Sequence, residues 1–170
     1  MRKILLIFLL SINVIFGQDT NCFDVARKGN LSDIKSLFEK DKTIINAIDD
    51  KGSSMLILAC YRGNDAVANF LIENNCDLNY VSDNGTALMA AVVKGNYELV
   101  KLLIKNGANL NLTDANGLTA LMYAVQFNNI ELLKLLLQHN ADKNQVDKNG
   151  KTAFEYAVFS GNEEIINLLK

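Results

Sequence analysis

The 170-residue sequence has no proline or tryptophan, one histidine and three cysteines. A structural zinc site uses four closely spaced cysteine or histidine ligands, which these scattered residues do not offer. The single histidine, His139, has no serine or cysteine obviously near it that it could activate as a nucleophile. We therefore predict that His139 is an exposed helix end, and that the protein is not an enzyme and uses no metal or cofactor.

A charge excess is also missing, because 17 basic and 19 acidic residues give a net charge of −2. Surfaces that bind nucleic acid are marked by clustered positive charge, which this sequence does not show, so we expect no nucleic-acid partner. Hydrophobic residues make up 49% of the chain and charged residues 21%. This balance favours a folded domain with a sizeable core over disorder.

The sequence has no apolar run long enough to cross a membrane. The longest run, over residues 4–16, has about 13 residues, whereas a spanning helix needs roughly 20. It follows two basic residues and precedes the small Gly17, which is the pattern of a secretory signal peptide. We predict a signal peptide at 1–17, cleavage after Gly17, a periplasmic or secreted location and no membrane association after cleavage. A lipid anchor on Cys22 and an uncleaved anchor are the alternatives.

What the sequence does contain is a repeat. The strings GSSMLILA, GTALMAA, GLTALMYA and GKTAFEYA begin at residues 52, 85, 117 and 150. The alanines that close them recur at intervals of 32 or 33 residues, and the short interval reflects one residue missing after Gly85. Other positions keep the same step, among them Asn64, Asn96, Asn129 and Asn162, and Asn46, Asn79, Asn111 and Asn144.

Each repeat reads as a hairpin turn followed by two helices. In the third, Asn116-Gly117 favours a tight turn, and Thr119 can cap a helix that we predict over 119–127. Asn128 suits a left-handed helix stop, as do Asn75, Gly107 and Asn140 at the ends of second helices. The second helix, predicted over 129–138, is too apolar for a lone surface helix and must be covered by neighbouring repeats.

The motifs DANGLTALMYAV, DKNGKTAFEYAV and LVKLLIKNGANLN resemble those of ankyrin-repeat proteins. The resemblance implies an all-α fold, a solenoid of stacked helix-turn-helix units with short hairpin loops. We expect an ankyrin-repeat domain over 18–170 that forms a complete stack. Its parts are a capping unit at 19–45, repeats at 46–78, 79–110 and 111–143, and a C-terminal capping repeat at 144–170. The family's usual Thr-Pro-Leu-His has become Thr-Ala-Leu-Met or Thr-Ala-Phe-Glu, which implies the loss of a hydrogen bond that ties helix to hairpin.

The cysteines fall at core positions of this repeat. Cys60 shares its position with Val92, Val125 and Val158, and Cys76 shares its position with Ala108 and Ala141. We therefore predict that both cysteines are buried small residues. A disulfide between them is the alternative.

The resemblance also implies a binding surface on the concave side, made of hairpin tips and the exposed sides of the first helices. The predicted hairpin residues are Ile48, Asp50, Lys51, Val81, Asp83, Thr113, Asn116, Leu118, Val146, Lys148 and Lys151. The predicted helix residues are Tyr61, Arg62, Val93, Lys94, Gln126, Phe127 and Phe159. Four of these, Tyr61, Val93, Phe127 and Phe159, are large or apolar where exposure is expected. They either pack against hairpins or form an interaction hot spot.

These features predict a monomeric, non-enzymatic protein–protein interaction module that acts outside the cytoplasm and binds another exported protein. A dedicated inhibitor or immunity-type protein that blocks one toxin or enzyme is the alternative.

Overall fold

The computed structural model describes residues 21–170, and within that range it contains ten α-helices and no β-strand. The helices form five consecutive pairs: α1 (Cys22–Lys28) and α2 (Leu31–Lys40), α3 (Met55–Arg62) and α4 (Asp65–Glu73), α5 (Ala87–Val93) and α6 (Tyr97–Lys105), α7 (Ala120–Gln126) and α8 (Ile130–Gln138), and α9 (Ala153–Ser160) and α10 (Glu163–Leu169). A 3₁₀ helix, Lys42–Asn46, follows α2. The predicted all-α repeat solenoid is confirmed.

The predicted signal peptide at 1–17 and its cleavage site lie outside the described residues. Over 21–170, every helix is too short or too polar to cross a membrane.

The first helices α3, α5, α7 and α9 start at a hydroxyl cap, as the sequence predicts for Thr119, whereas α1 starts at Asn21. The Oγ1 of Thr119 accepts a hydrogen bond from the N–H of Met122 at 3.2 Å, and Ser54, Thr86 and Thr152 cap their helices in the same way. Because Thr119 and Phe127 are the flanking caps, α7 is one residue shorter at each end than predicted. Helix α8 begins one residue later than predicted because Asn129 is its cap.

Asparagine replaces glycine at several left-handed helix stops. Asn75, Asn128 and Asn140 have φ values of 60°, 54° and 64°, and Gly107 has a φ of 89°. This left-handed conformation is open to asparagine because its short polar side chain tolerates it. The predicted stops are confirmed.

The core runs along the whole stack. The first helices pack in series, α1 on α3, α3 on α5, α5 on α7 and α7 on α9, and a column of fully buried alanines lies along them: Ala26, Ala59, Ala91, Ala124 and Ala157. Cys60 and Cys76 are buried in this core, as predicted. Both are free thiols, so the alternative of a disulfide between them is wrong.

The recurring asparagines fasten neighbouring repeats to one another. The Oδ1 atoms of Asn46, Asn79 and Asn111 accept hydrogen bonds from the backbone N–H groups of Asp77, Asn109 and Asp142, at 2.8 to 2.9 Å. Asn64, Asn96, Asn129 and Asn162 instead cap the second helices. Three of these caps also reach the preceding unit, because the side-chain amides of Asn64, Asn96 and Asn162 donate to the Gly29 carbonyl, to Asp65 Oδ1 and to Asn128 Oδ1. Both asparagine columns therefore join neighbouring repeats.

The last helix pair departs from the pattern. Val92 and Val125 are 1% and 0% exposed, but Val158, at the equivalent position in α9, is 53% exposed. Within the described range, no further helix pair packs against this side of α9. A core position of the repeat is therefore buried only where a neighbour follows.

Candidate functional site

A groove of ≈ 500 Å³ runs across the hairpins and first helices on one side of the stack. Here the loops that precede α3, α5, α7 and α9 are called hairpins 1 to 4. Seven of the predicted site residues line this groove: Lys51, Tyr61, Arg62, Asp83, Val93, Asn116 and Phe127. The structure brings these seven together from three hairpins and three helices.

A buried aspartate holds hairpins 1, 3 and 4 in shape. In hairpin 3, the Oδ1 of Asp114 accepts hydrogen bonds from the backbone N–H groups of Asn116 and Leu118, both at 2.8 Å. Asp49 and Asp147 make the equivalent pairs of bonds in hairpins 1 and 4. One carboxylate oxygen therefore satisfies two loop donors that would otherwise lack partners.

The second oxygen of each aspartate ties its hairpin to a helix. The Tyr123 hydroxyl donates to Asp114 Oδ2 at 2.7 Å, and the Tyr156 hydroxyl donates to Asp147 Oδ2 at 2.5 Å. In hairpin 1 the donor is the guanidinium of Arg27, 2.6 Å from Asp49 Oδ2. In hairpins 1, 3 and 4, arginine or tyrosine therefore supplies a tie between helix and hairpin, although the family's histidine is absent.

These contacts shift the titration of their members. Burial and the hydrogen bond to Asp114 raise the pKa of Tyr123. The hydrogen bond from Tyr156, with those from the hairpin backbone, lowers the pKa of Asp147 to about 2. Both shifts favour a neutral tyrosine that donates to an ionised carboxylate.

Hairpin 2 and helix α5 lack this arrangement. Ser82 stands where the other hairpins have aspartate, and the loop is one residue shorter. Ala90 stands where α7 and α9 have tyrosine, and Leu58 takes that position in α3. Leu58 and Ala90 line the groove, so its central part has an apolar floor.

The large residues at the ends of the first helices are mostly exposed. Tyr61 and Phe127 are 53% and 54% exposed, and Phe159 is 92% exposed, whereas Val93 is half-buried. The ring of Phe127 stacks on Tyr123 with centroids 6.5 Å apart, and the Arg62 guanidinium lies 5.9 Å from the Tyr61 ring. Tyr61 and Phe127 therefore keep about half of their surface open to solvent in the groove.

The other predicted site residues lie outside the groove lining. Ile48, Asp50, Val81, Lys94, Gln126, Val146, Lys148, Lys151 and Phe159 are exposed, and Thr113 and Leu118 are half-buried. Their part in binding stays a prediction.

Sequence reasoning missed Leu58, Ala90 and Tyr123 as groove residues. The usable signal was the nine-residue spacing from aspartate to tyrosine, present in DANGLTALMY and DKNGKTAFEY and absent from the two earlier repeats.

Unpaired positive charge surrounds the groove. Ion pairs within residues 21–170 join Arg27 to Asp24 and Asp49, and Lys134 to Glu164. The exposed cations Lys51, Arg62 and Lys94 therefore keep free charges. The exposed acids nearby are Asp50 and Asp83. The groove lining as a whole holds three cations, Arg27, Lys51 and Arg62, and three carboxylates, Asp49, Asp83 and Asp114, of which Asp49 and Asp114 are buried and committed to hydrogen bonds.

The candidate nucleophiles are held in an unreactive form. Burial raises the pKa of the Cys60 thiol and raises that of Cys76 to about 12, so both stay protonated. His139 is exposed at the end of α8, as predicted, and is not part of the groove. In the described part of the chain, acidic, histidine and cysteine side chains form no cluster suited to a metal ion.

Comparison with known proteins identifies the repeat. A family model described as ankyrin repeats (3 copies) matches residues 23–114 and 106–170. No curated protein shows significant similarity to the chain. The two matches together cover almost the whole described range. The chain therefore belongs to the ankyrin-repeat family, whose members are generally protein–protein interaction modules.

Proposed function

We propose that the protein is a non-enzymatic module that acts outside the cytoplasm and binds another exported protein through the groove. The observation that carries this proposal is the pair of half-exposed aromatics, Tyr61 and Phe127, in the groove. Protein interfaces concentrate aromatic residues and arginine at their energetic centres, and Arg62 lies beside Tyr61.

Export is proposed from the sequence alone. Two basic residues, a short apolar run over 4–16 and Gly17 follow the order of a secretory signal peptide. A periplasmic or secreted location would place the groove among exported proteins, where we expect its partner.

The charges around the groove favour a partner with an acidic rim. Lys51, Arg62 and Lys94 carry free positive charge at or next to the groove. Ion pairs between these cations and acidic residues of a partner would be exposed to solvent. Salt screens exposed charges, so we expect binding to weaken as salt is added.

The test is co-purification from the exported fraction with the double substitution Tyr61→Ala and Phe127→Ala. Removing both aromatics should reduce the recovered partner roughly tenfold or more, because hot-spot aromatics carry most of an interface's energy. The matched control is Leu31→Ala with Val158→Ala, which removes exposed apolar surface outside the groove. If the double variant has an unchanged melting curve and recovers as much partner as the wild type, the groove is not the binding site.

The same experiment separates the alternative of a dedicated inhibitor. An inhibitor or immunity-type protein would form a tight one-to-one complex that abolishes the partner's activity. A scaffold or protective module would leave that activity intact. Recovery of the protein only from the cytoplasm would contradict the exported location.

A further inference from the structure

We propose that the central part of the groove is an anchor pocket. It takes one bulky apolar side chain of a partner segment that carries a carboxylate beside that residue. This inference rests on the proposed function and adds the chemistry of the partner. It is carried by hairpin 2 and helix α5, where, within the described residues, both the aspartate and the helix side chain that bonds to it are missing.

The pocket exists because two side chains are small. In α7 the Tyr123 side chain reaches over the groove side of the helix and bonds to hairpin 3. In α5 the equivalent Ala90 ends at its Cβ, and Ser82 turns its hydroxyl onto its own hairpin, donating to the Gly85 carbonyl at 2.9 Å. A tyrosine therefore covers the groove side of α7, whereas in α5 only the small side chain of Ala90 lines the groove.

The floor of this pocket is apolar and adaptable. Ile57, Leu58, Met89 and Ala90 all line the groove. A Cβ added at Gly85 would lie 2.2 Å from the sulfur of Met89, so the shortened hairpin sits directly on this side chain. Thioether side chains adjust to irregular partners, which suits a floor that receives a foreign side chain.

The walls favour a large occupant. Tyr61 lies toward one end of the groove and Phe127 toward the other, on α3 and at the end of α7. The groove's volume of ≈ 500 Å³ is within the range of pockets that enclose drug-sized molecules. A leucine, methionine or aromatic residue seated on Leu58 and Ala90 would bury apolar surface, and the flanking aromatics offer further contact to the residues beside it, as in an interface hot spot.

The carboxylate is inferred from the charges that remain free. Arg27 is committed to Asp49, but Arg62 and Lys51 have no acidic partner in the described range. Asp83 lies in hairpin 2, so an acidic residue of the partner would be repelled there. The acidic residue should therefore point to the side of α3 and hairpin 1, which orients the bound segment.

The experiment uses the chain without residues 1–17 as bait for a displayed library of short random peptides. We expect enrichment of peptides with a large apolar residue next to, or one residue away from, an aspartate or glutamate. A selected peptide is then synthesised, and its affinity is measured by fluorescence anisotropy. Replacing the apolar residue of the peptide by alanine should weaken binding roughly tenfold or more. This arm needs no protein variant.

Two variants of the protein locate the site. Ala90→Tyr restores the tyrosine found in α7 and α9, and should weaken binding roughly tenfold or more by filling the pocket. Ala66→Tyr makes the same change at an exposed position of α4 and should bind like the wild type. Arg62→Gln should remove the preference for the acidic residue while the apolar preference persists. If Ala90→Tyr fails to fold, the Ala90→Leu variant, which fills part of the pocket, is used in its place.

Several results would overturn the anchor pocket. They are the absence of enriched peptides, enrichment without the pairing of an apolar with an acidic residue, and undiminished binding to folded Ala90→Tyr. In each case the proposed function would still be supported if the Tyr61→Ala, Phe127→Ala variant no longer recovers its partner in the co-purification. Recovery that does not depend on those aromatics would defeat the proposed function whatever the peptides show.

Discussion

At the scale of single residues, three buried carboxylates organise the groove side of the molecule. In each of them, one carboxylate oxygen accepts hydrogen bonds from the backbone of its own loop, and the other accepts a hydrogen bond from a helix side chain. The three residues are Asp49, Asp114 and Asp147. A carboxylate has enough lone pairs for both duties, and bonds to a charged acceptor are stronger than bonds between neutral groups. Loop shape and helix position are therefore set by the same side chain.

Replacing Tyr123 by phenylalanine tests this tie. Tyr123→Phe should lower the free energy of unfolding at neutral pH by about 1 to 2 kcal/mol, because the bond to a charged acceptor is lost. Urea unfolding followed by circular dichroism measures the change. Tyr97→Phe is the control, since the Tyr97 hydroxyl makes no hydrogen bond within residues 21–170.

The same substitution carries a pH dependence. The pKa of Tyr123 is raised in the folded state, so its contribution is complete below the ordinary tyrosine pKa of about 10 and is lost as the pH rises above it. The stability difference between wild type and Tyr123→Phe should therefore shrink in alkaline solution. A difference that is constant from neutral to strongly alkaline pH would contradict the assignment.

At the scale of elements, the hairpins join one another by backbone contacts. The N–H of Ala115 donates to the Asp83 carbonyl at 3.1 Å, and the N–H of Lys148 donates to the Asn116 carbonyl at 3.0 Å. Hairpins 1 and 2 are joined differently, because the Tyr80 hydroxyl donates to the Gly52 carbonyl at 3.0 Å. This continuous row of hairpins forms one border of the groove.

Two glycines at equivalent hairpin positions allow the effect of hairpin stacking on stability to be distinguished from the effect of loop conformation. Gly117 and Gly150 have φ values of 81° and 74°, so alanine is strained at both. A Cβ on Gly117 would also lie 2.9 Å from the Lys148 nitrogen and 3.0 Å from the Asp147 Cα. A Cβ on Gly150 meets nothing within 4 Å.

We expect Gly150→Ala to cost about 1 kcal/mol, from conformation alone. Gly117→Ala should cost at least about 1 kcal/mol more, since the backbone of hairpin 4 must move. Thermal and urea unfolding of both variants gives the comparison. Equal losses would show that the close approach of hairpins 3 and 4 contributes nothing to stability.

At the scale of the whole molecule, stability comes from each helix pair lying against the next. No pair can bury its apolar side alone, and interior pairs are covered on both sides. Helix α9 is covered by α7 on one side only within the described range, which leaves Val158 half exposed. The protection of backbone amides against hydrogen exchange should therefore vary along the stack.

Amide hydrogen exchange measures this variation. The backbone amides of α5 to α8 should exchange most slowly, and those of α9 and α10 faster, because local opening exposes fewer buried contacts there. Mass spectrometry of peptic fragments resolves the helix pairs. Protection in α9 and α10 equal to that of α7 would mean that the terminal side is covered in solution, and binding of a partner to it would then be sought.

The sequence by itself determined the repeat, the caps, the left-handed stops and the burial of Cys60 and Cys76. These follow from chemistry that acts over a few residues, such as Thr119 capping its own helix and Asn128 ending it. Because the units are copies, the position of a residue in one repeat also predicts its burial in the interior repeats, but not that of Val158 in the last repeat.

Only the tertiary structure decided which side chains meet across the stack. The bond between Tyr123 and Asp114, the Arg27 bond to Asp49 and the exposure of Val158 each depend on the placement of residues from separate elements. The apolar floor at Ala90 is likewise visible only once neighbouring repeats lie side by side. Local propensity fixes where a helix starts, but a groove is made by the distances between helices, and those are set by packing.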